Sequence, residues 1–114
     1  MKVDVKGAFK RLKLRKSEFP FAVFYFDNAW YVYVVLPFGM RASAYHWCRY
    51  YAVIHRVLKR LCQCFFHGSA MYIDDSLYCA RVSQHVDVFA LILVFLQVIN
   101  VPVSWRKIVH RDAA

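Results

Sequence analysis

The chain holds seven carboxylates: Asp4, Glu18, Asp27, Asp74, Asp75, Asp87 and Asp112. Four stand where an acid costs little. Glu18 and Asp27 lie among loop and turn residues, Asp87 at the start of an expected helix, and Asp112 near the terminus. Asp4, Asp74 and Asp75 each adjoin a short apolar, strand-like segment instead. A carboxylate in apolar surroundings is costly unless it is paired, hydrogen-bonded or bound to a metal. Neighbouring Asp74 and Asp75 also repel each other unless a cation intervenes. A tight turn bearing Asp74 and Asp75 beside a strand end bearing Asp4 suits a hard cation. Mg²⁺ prefers oxygen ligands and keeps water and substrate phosphate in its shell. The plainer reading of Asp-Asp is turn composition.

Cysteines at 48, 62, 64 and 79 are the other candidates for chemistry. Cys62-x-Cys64 lacks the longer spacer of a zinc-ligand pair, although His67 and Cys79 would complete a set. Four small buried hydrophobes is the better expectation. Asp4 and Lys6 interrupt any apolar signal segment. The thiols are therefore expected to be reduced, and the protein intracellular, cytoplasmic or nuclear, and not secreted.

These residues need a scaffold. At 114 residues the chain is one domain or part of one. Ten Phe, eight Tyr and three Trp within a 61% hydrophobic composition exclude disorder, and three Gly with three Pro exclude a collagen-like or linker character. So high an apolar share implies a greasy surface or a larger whole that covers it. Sixteen Lys and Arg against seven acids give +9, and seven of those cations fall in residues 1–16. Such an excess favours polyanions, either nucleic acid or an anionic membrane surface. The longest apolar run, residues 88–96, falls well short of the ~20 residues of a membrane span. It is expected to be a helix buried on most sides, with no membrane partner.

Residues 3–5 read as a short strand, and residues 6–18 as a basic irregular stretch. Residues 21–26 and 30–36 are aromatic and β-branched around Asp27-Asn28, the pattern of a hairpin. Pro37 and Gly39 punctuate the chain, and Ser43 is the expected N-cap of a helix. Ala44, Trp47, Tyr51, Ile54, Leu58 and Leu61 make its apolar face, with Arg49, Arg56, Lys59 and Arg60 elsewhere on it. His67-Gly68 reads as a break. Residues 70–73 and 77–80 read as strands flanking Asp74-Asp75, residues 85–98 as a helix ended before Pro102, and residues 103–109 as a last strand. The order β, β-hairpin, α, β-hairpin, α, β implies an α+β fold, an antiparallel sheet with two helices on one face.

Tyr72-Ile73-Asp74-Asp75 resembles the signature tetrapeptide of reverse transcriptases, an aromatic, any residue, then two Asp. Leu36-Pro37-Phe38-Gly39-Met40 is similar to that family's Leu-Pro-x-Gly turn before a helix. Asp4-Val5-Lys6-Gly7-Ala8-Phe9 resembles its first palm motif, and Trp105-Arg106-Lys107 the motif with a Lys about thirty residues past the Asp pair. Together they span residues 3–107 in the family's order. The run Met40-Arg41-Ala42-Ser43-Ala44-Tyr45-His46-Trp47 departs from the common pattern, which has Ala-Pro near Ser43-Ala44. This points to a mobile-element lineage, a tyrosine-recombinase retrotransposon of the DIRS or PAT kind.

The resemblance implies a ferredoxin-like polymerase palm over residues 1–114, lacking most of the fingers and the thumb. It implies an RNA-directed DNA polymerase that adds deoxynucleotides to a primer 3′-hydroxyl on an RNA or DNA template. Two Mg²⁺ ions, replaceable by Mn²⁺, would be held by Asp4, the Val5 carbonyl and Asp74, with Asp75 included in the metal site as their nearby support. Lys6, Gly7, Ala8, Phe9, Phe38 and Gly39 would line the nucleotide site, Phe9 as a steric gate against ribose. Ordinary core is the other reading of Phe9, and a plain turn that of Phe38-Gly39. Tyr72 and Ile73 would touch the primer end, and core packing is the equal alternative for Tyr72. Lys107 would neutralise the leaving pyrophosphate, or else be solvated surface. The fingers and thumb of a longer polyprotein would be partners. An inactive relic, or a non-enzymatic basic domain binding nucleic acid through residues 2–16 and exposed aromatics, is the competing reading. Membrane association through residues 88–96 ranks last.

Overall fold

The computed structural model describes residues 1–109, apart from the side chains at 66 and 67; Asp112 lies outside the described residues. The chain divides into two compact units. One comprises residues 1–6 and 49–114, the other residues 7–48.

In the first unit, β1 (Lys2–Asp4), β4 (Phe66–Tyr72) and β5 (Asp75–Ala80) form an antiparallel sheet in the order β1-β5-β4. Val3 stands opposite Ser76 and Asp4 opposite Asp75. The other edge of β1 pairs with the end of the described chain, through bridges Val5↔Val103 and Lys2↔Val109. The expected last strand is thus two bridges around a short 3-10 turn, Trp105–Lys107. The backbone amide of Ser104 donates to the carbonyl of Asp4 (2.8 Å), and that of Lys107 to Ser104 (2.8 Å), so the chain loops away from β1 between the bridges. With this segment beside β1, the strands follow the ferredoxin-like order.

Alternation gives the sheet two unlike faces. Val3, Ser76 and Tyr78 are buried, and the Ser76 hydroxyl donates to the Tyr51 hydroxyl of helix α1 (Arg41–Leu61) at 3.0 Å. Tyr51, Ile54, Leu58 and Cys62 continue that core, as the expected periodicity requires. Leu61, expected on the same face, is exposed. Lys2, Asp4, Asp75, Leu77 and Tyr72 share the other face. Helix α2 (His85–Val98) buries Val88, Phe89, Ile92 and Leu96, while Leu91 and Val94 are exposed. It is buried on one face, not on most sides. Its apolar stripe recurs every three to four residues, and the intervening aliphatic residues are left over. No helix among the described residues is long and apolar enough to cross a membrane.

Two further expectations change. The His67-Gly68 break is instead part of β4, absorbed as a shift in register between Phe66 and Gly68. Of the four cysteines only Cys62 is buried; Cys64 and Cys79 are exposed, and Cys48 lies between. Cys79 points away from Tyr78 on a strand with one covered face, so alternation exposes it. No cluster of three or more His, Cys, Asp or Glu side chains is arranged to hold a metal among the described residues.

In the second unit, β2 (Val23–Phe26) and β3 (Ala29–Val32) form the expected hairpin. Its two-residue loop, Asp27-Asn28, has φ of 48° and 59°, the doubly left-handed geometry of a type I′ turn. Residues ahead of β2 are wound into a 3-10 segment, Lys16–Ala22, so the strand starts later than its aromatic run. Past β3 the chain pairs with the basic stretch: Leu14 donates to Val34 (3.0 Å) and Leu36 to Leu12 (2.9 Å). Helix α1 begins at Arg41, two residues before Ser43. The Ser43 amide already donates to the Met40 carbonyl (3.0 Å), so Ser43 sits inside the first turn and is not its cap.

Candidate active site

The β4–β5 hairpin turns on two residues, Ile73 and Asp74, since Tyr72 already pairs with Asp75. Asp75 is therefore the first residue of a strand and not a turn residue. Ile73 has φ of 51°. A β-branched side chain in the left-handed region is strained, a state that persists only where the surrounding structure enforces it. Here the ladder on either side enforces it. The amide of Val5 also donates to the Asp74 carbonyl (3.0 Å), tying the turn to the end of β1. Asp4, Val5, Ile73, Asp74 and Asp75 thus meet at one end of the sheet.

Asp4 is 7% exposed and its Oδ1 accepts from Lys107 Nζ at 3.1 Å. Lys107 reaches it because the Trp105–Lys107 turn loops off the neighbouring edge of β1. Asp75 is half-buried. Its Oδ2 pairs with Lys2 Nζ at 2.9 Å, and its Oδ1 is buried with no hydrogen-bond partner. The Asp75 carboxylate, hydrogen-bonded to it, holds the Lys2 ammonium above the ordinary lysine range, with smaller help from Asp4 and Asp74. Two lysines therefore partner two of the acids. Lys107 was singled out by the resemblance; Lys2 was not. The signal was present: Lys2 is two residues before Asp4, and a strand repeats every two residues.

Tyr72 is 76% exposed, which removes the core-packing alternative. In the second unit Gly7 (φ 64°) and Gly39 (φ 89°) both take left-handed backbone that other residues avoid. Ala8 is buried there, whereas Phe38 is 88% exposed. Phe9 is half-buried, its ring centroid 5.9 Å from that of Phe38. Lys6, at the end of the first unit, donates its amide to Pro102 (2.9 Å).

Oxygen donors at adjoining strand ends fit a hard divalent cation. Asp4, Val5, Asp74 and Asp75 bring such oxygens to one end of the sheet. The Lys107 ammonium already lies against Asp4 and balances its charge. The three carboxylates do not converge as a preformed cage.

Beneath this end of the sheet, burial pushes the hydroxyls of Tyr51 and Tyr78 well above the ordinary tyrosine range. They act as neutral hydrogen-bonding groups that support β5.

A protease–reverse transcriptase of foamy virus, solved in complex with dsDNA, superposes with a TM-score of 0.74 at 22% identity. The match covers 93% of this chain and 22% of that one. The foamy viral enzyme solved with an RNA/DNA hybrid gives 0.68 at 24% identity, over 93% of this chain and 14% of that one. The chain thus spans less than a quarter of the length of these relatives, and at such identities the likeness establishes the fold, the palm-like α+β sheet. No curated protein sequence matches. The sequence profile described as "Reverse transcriptase (RNA-dependent DNA polymerase)" matches residues 1–112, and the chain belongs to that family.

Proposed function

We propose that this chain is the catalytic palm of an RNA-directed DNA polymerase encoded by a retroelement, of the tyrosine-recombinase retrotransposon kind. The observation that carries the reading is the meeting of Asp4 with Asp74 through the Val5–Asp74 backbone bond (3.0 Å). Asp4, Asp74 and the Val5 carbonyl would hold two Mg²⁺ ions, with Mn²⁺ as a substitute and Asp75 in support. Bound there, the metals would activate the primer hydroxyl and stabilise the leaving pyrophosphate. The chain's own residues orient and neutralise. Lys107 sits at the acid whose charge must be balanced before a cation arrives, and it is the candidate to face pyrophosphate. Exposed Tyr72 and the rigid Ile73 turn offer a platform for the primer end. Lys6, Gly7, Ala8, Phe9, Phe38 and Gly39 would receive the deoxynucleoside triphosphate, with Phe9 excluding a 2′-hydroxyl.

A primed RNA or DNA template is the polymeric partner. The foamy viral relatives were solved with dsDNA and an RNA/DNA hybrid, which supports that class. Fingers and thumb of a longer polyprotein would complete the enzyme, in the cytoplasm or nucleus. The aromatic β2–β3 hairpin, exposed at Tyr25, Phe26 and Trp30, is a surface such a domain would cover.

A relic, or a basic nucleic-acid-binding domain without catalysis, is the second reading. On its side stands the pairing of both Asp4 and Asp75 with lysines. Mn²⁺ titration of the chain beside its Asp4→Asn/Asp74→Asn variant separates the two. Binding lost in the variant is expected. Weak binding that is equal in both folded proteins would favour the relic.

A further inference from the structure

We propose that the second unit carries a small-molecule site, a cleft at the N-terminal turn of α1 that takes a carboxylate borne on a compact apolar body. The site lies beyond the polymerase reading and does not depend on it.

The cleft encloses about 500 Å³, and every residue lining it belongs to the second unit. Pockets that bury a small ligand span ~300–1,000 Å³. One wall is held by the pairing of the basic stretch with the chain past β3, where Leu36 donates to Leu12 (2.9 Å) and Leu14 to Val34 (3.0 Å). Leu14, Phe21, Ala22, Leu36, Pro37 and Met40 give the cleft its apolar lining.

The polar end is built around Ser43, which lines the cleft and is 1% exposed. A serine in the first turn of a helix ordinarily gives its hydroxyl to a nearby backbone carbonyl. The Ser43 Oγ is instead buried with no hydrogen-bond partner. Such a hydroxyl is costly until something bonds to it. It stands at the start of a 21-residue helix, where unsatisfied amides and the macrodipole favour an anion. Lys13, Arg15 and His46 line the same cleft, against one acid, the exposed Glu18. The balance is positive but small, which suits one negative charge and weighs against two. A polynucleotide strand is gripped by a basic groove with stacking aromatics. A mostly aliphatic cleft ending in one buried hydroxyl suits a compact body with one carboxylate.

The test is titration of the ¹⁵N-labelled full chain with 1-naphthoate, followed by amide shifts, with 1-naphthamide as the uncharged control. Saturable shifts are expected at residues 12–15, 22 and 40–46, and binding of the amide should be at least about fivefold weaker. Ser43→Ala should weaken naphthoate roughly tenfold, the scale of one hydrogen bond to a charged acceptor. It should also raise the unfolding temperature, since it removes an unpaired buried hydroxyl. Loss of binding with a gain in stability is a signature that a merely structural serine would not give. Arg15→Gln, at an exposed position that leaves the fold intact, should weaken binding about two- to threefold, and less at high salt. Shifts that do not saturate, or that centre on Tyr25, Phe26 and Trp30, overturn the proposal. So does unchanged affinity in Ser43→Ala. Displacement of naphthoate by an oligothymidylate would make the cleft a nucleic-acid surface and overturn it too. Mn²⁺ binding reads the carboxylates of the first unit and should be the same in Ser43→Ala as in the parent, so the metal reading stands or falls separately.

Discussion

Two hairpins in this chain share a loop length and differ in what fills the loop. β2–β3 turns on Asp27-Asn28, both left-handed. Asp and Asn tolerate that region because their short polar side chains bond locally, and here the Tyr25 hydroxyl donates to Asn28 Oδ1 (3.1 Å). β4–β5 turns on Ile73-Asp74, with the left-handed residue an isoleucine. The first loop follows local preference and carries its acid idly at a solvated tip. The second violates local preference and carries its acid at the end of β1. Where a sequence breaks a turn rule it could easily have kept, the residues held there are worth more than the strain.

The largest expected effect breaks the symmetry of the two acids. Asp74→Asn should cost at least about tenfold in Mn²⁺ affinity, more than ~1.4 kcal/mol. Asp27→Asn should leave Mn²⁺ binding unchanged. Parallel titrations decide it, and equal behaviour of the two variants would remove any special status of the second turn.

The next pair exchanges the turns' chemistry. Asn28→Val places a β-branched residue at φ 59° and should lower stability by about 1–2 kcal/mol in denaturant titration. Ile73→Gly should raise stability, by less than about 1 kcal/mol, since relief of strain is partly offset by the flexibility of glycine in the unfolded chain. The same change loosens the strand end, so Mn²⁺ affinity should fall as the unfolding temperature rises. A glycine variant that binds metal as well as the parent would show that the isoleucine turn is a tolerated defect.

The comparison also explains what could be read from the chain in advance. Period-two and period-three-to-four patterns placed both hairpins and both helices, because burial of one face is what those periods encode. The motif resemblance singles out Asp4, Asp74 and Lys107, and the fold sets Lys107 against Asp4 and the end of β1 against Asp74's backbone. Contacts set by tertiary placement were not legible. The interruption at Trp105–Lys107 depends on Ser104 bonding to Asp4 across the sheet, a partner one hundred residues away in sequence. The Lys2–Asp75 pair depends on register, which only the assembled ladder fixes. Asp75 was placed in the turn, one residue off, and such a slip reverses the face on which its carboxylate lies. The residue type of Ser43 suits a cap, while the helix ladder already engages its amide.

The smallest expected effect lies under the sheet and concerns pH. His55 of α1 is half-buried, its ring centroid 5.7 Å from that of Tyr78, and its Nε2 is buried without a partner. Burial, and then the neighbouring Lys59 charge, push its proton affinity below the ordinary histidine range. The folded state therefore disfavours the imidazolium more than the unfolded chain does. The stability this contributes is fully present above the unfolded histidine range, near pH 6.5, and is lost as pH falls through the lower folded value. The unfolding midpoint should decline between about pH 7 and pH 5, above the range where ordinary carboxylates titrate. His55→Gln should flatten that decline while leaving Mn²⁺ affinity at pH 7 unchanged. A decline that persists undiminished in the variant would show that His55 does not cause it. A change in metal affinity would mean that the covered face of the sheet, and not only the strained turn, sets where the acids stand.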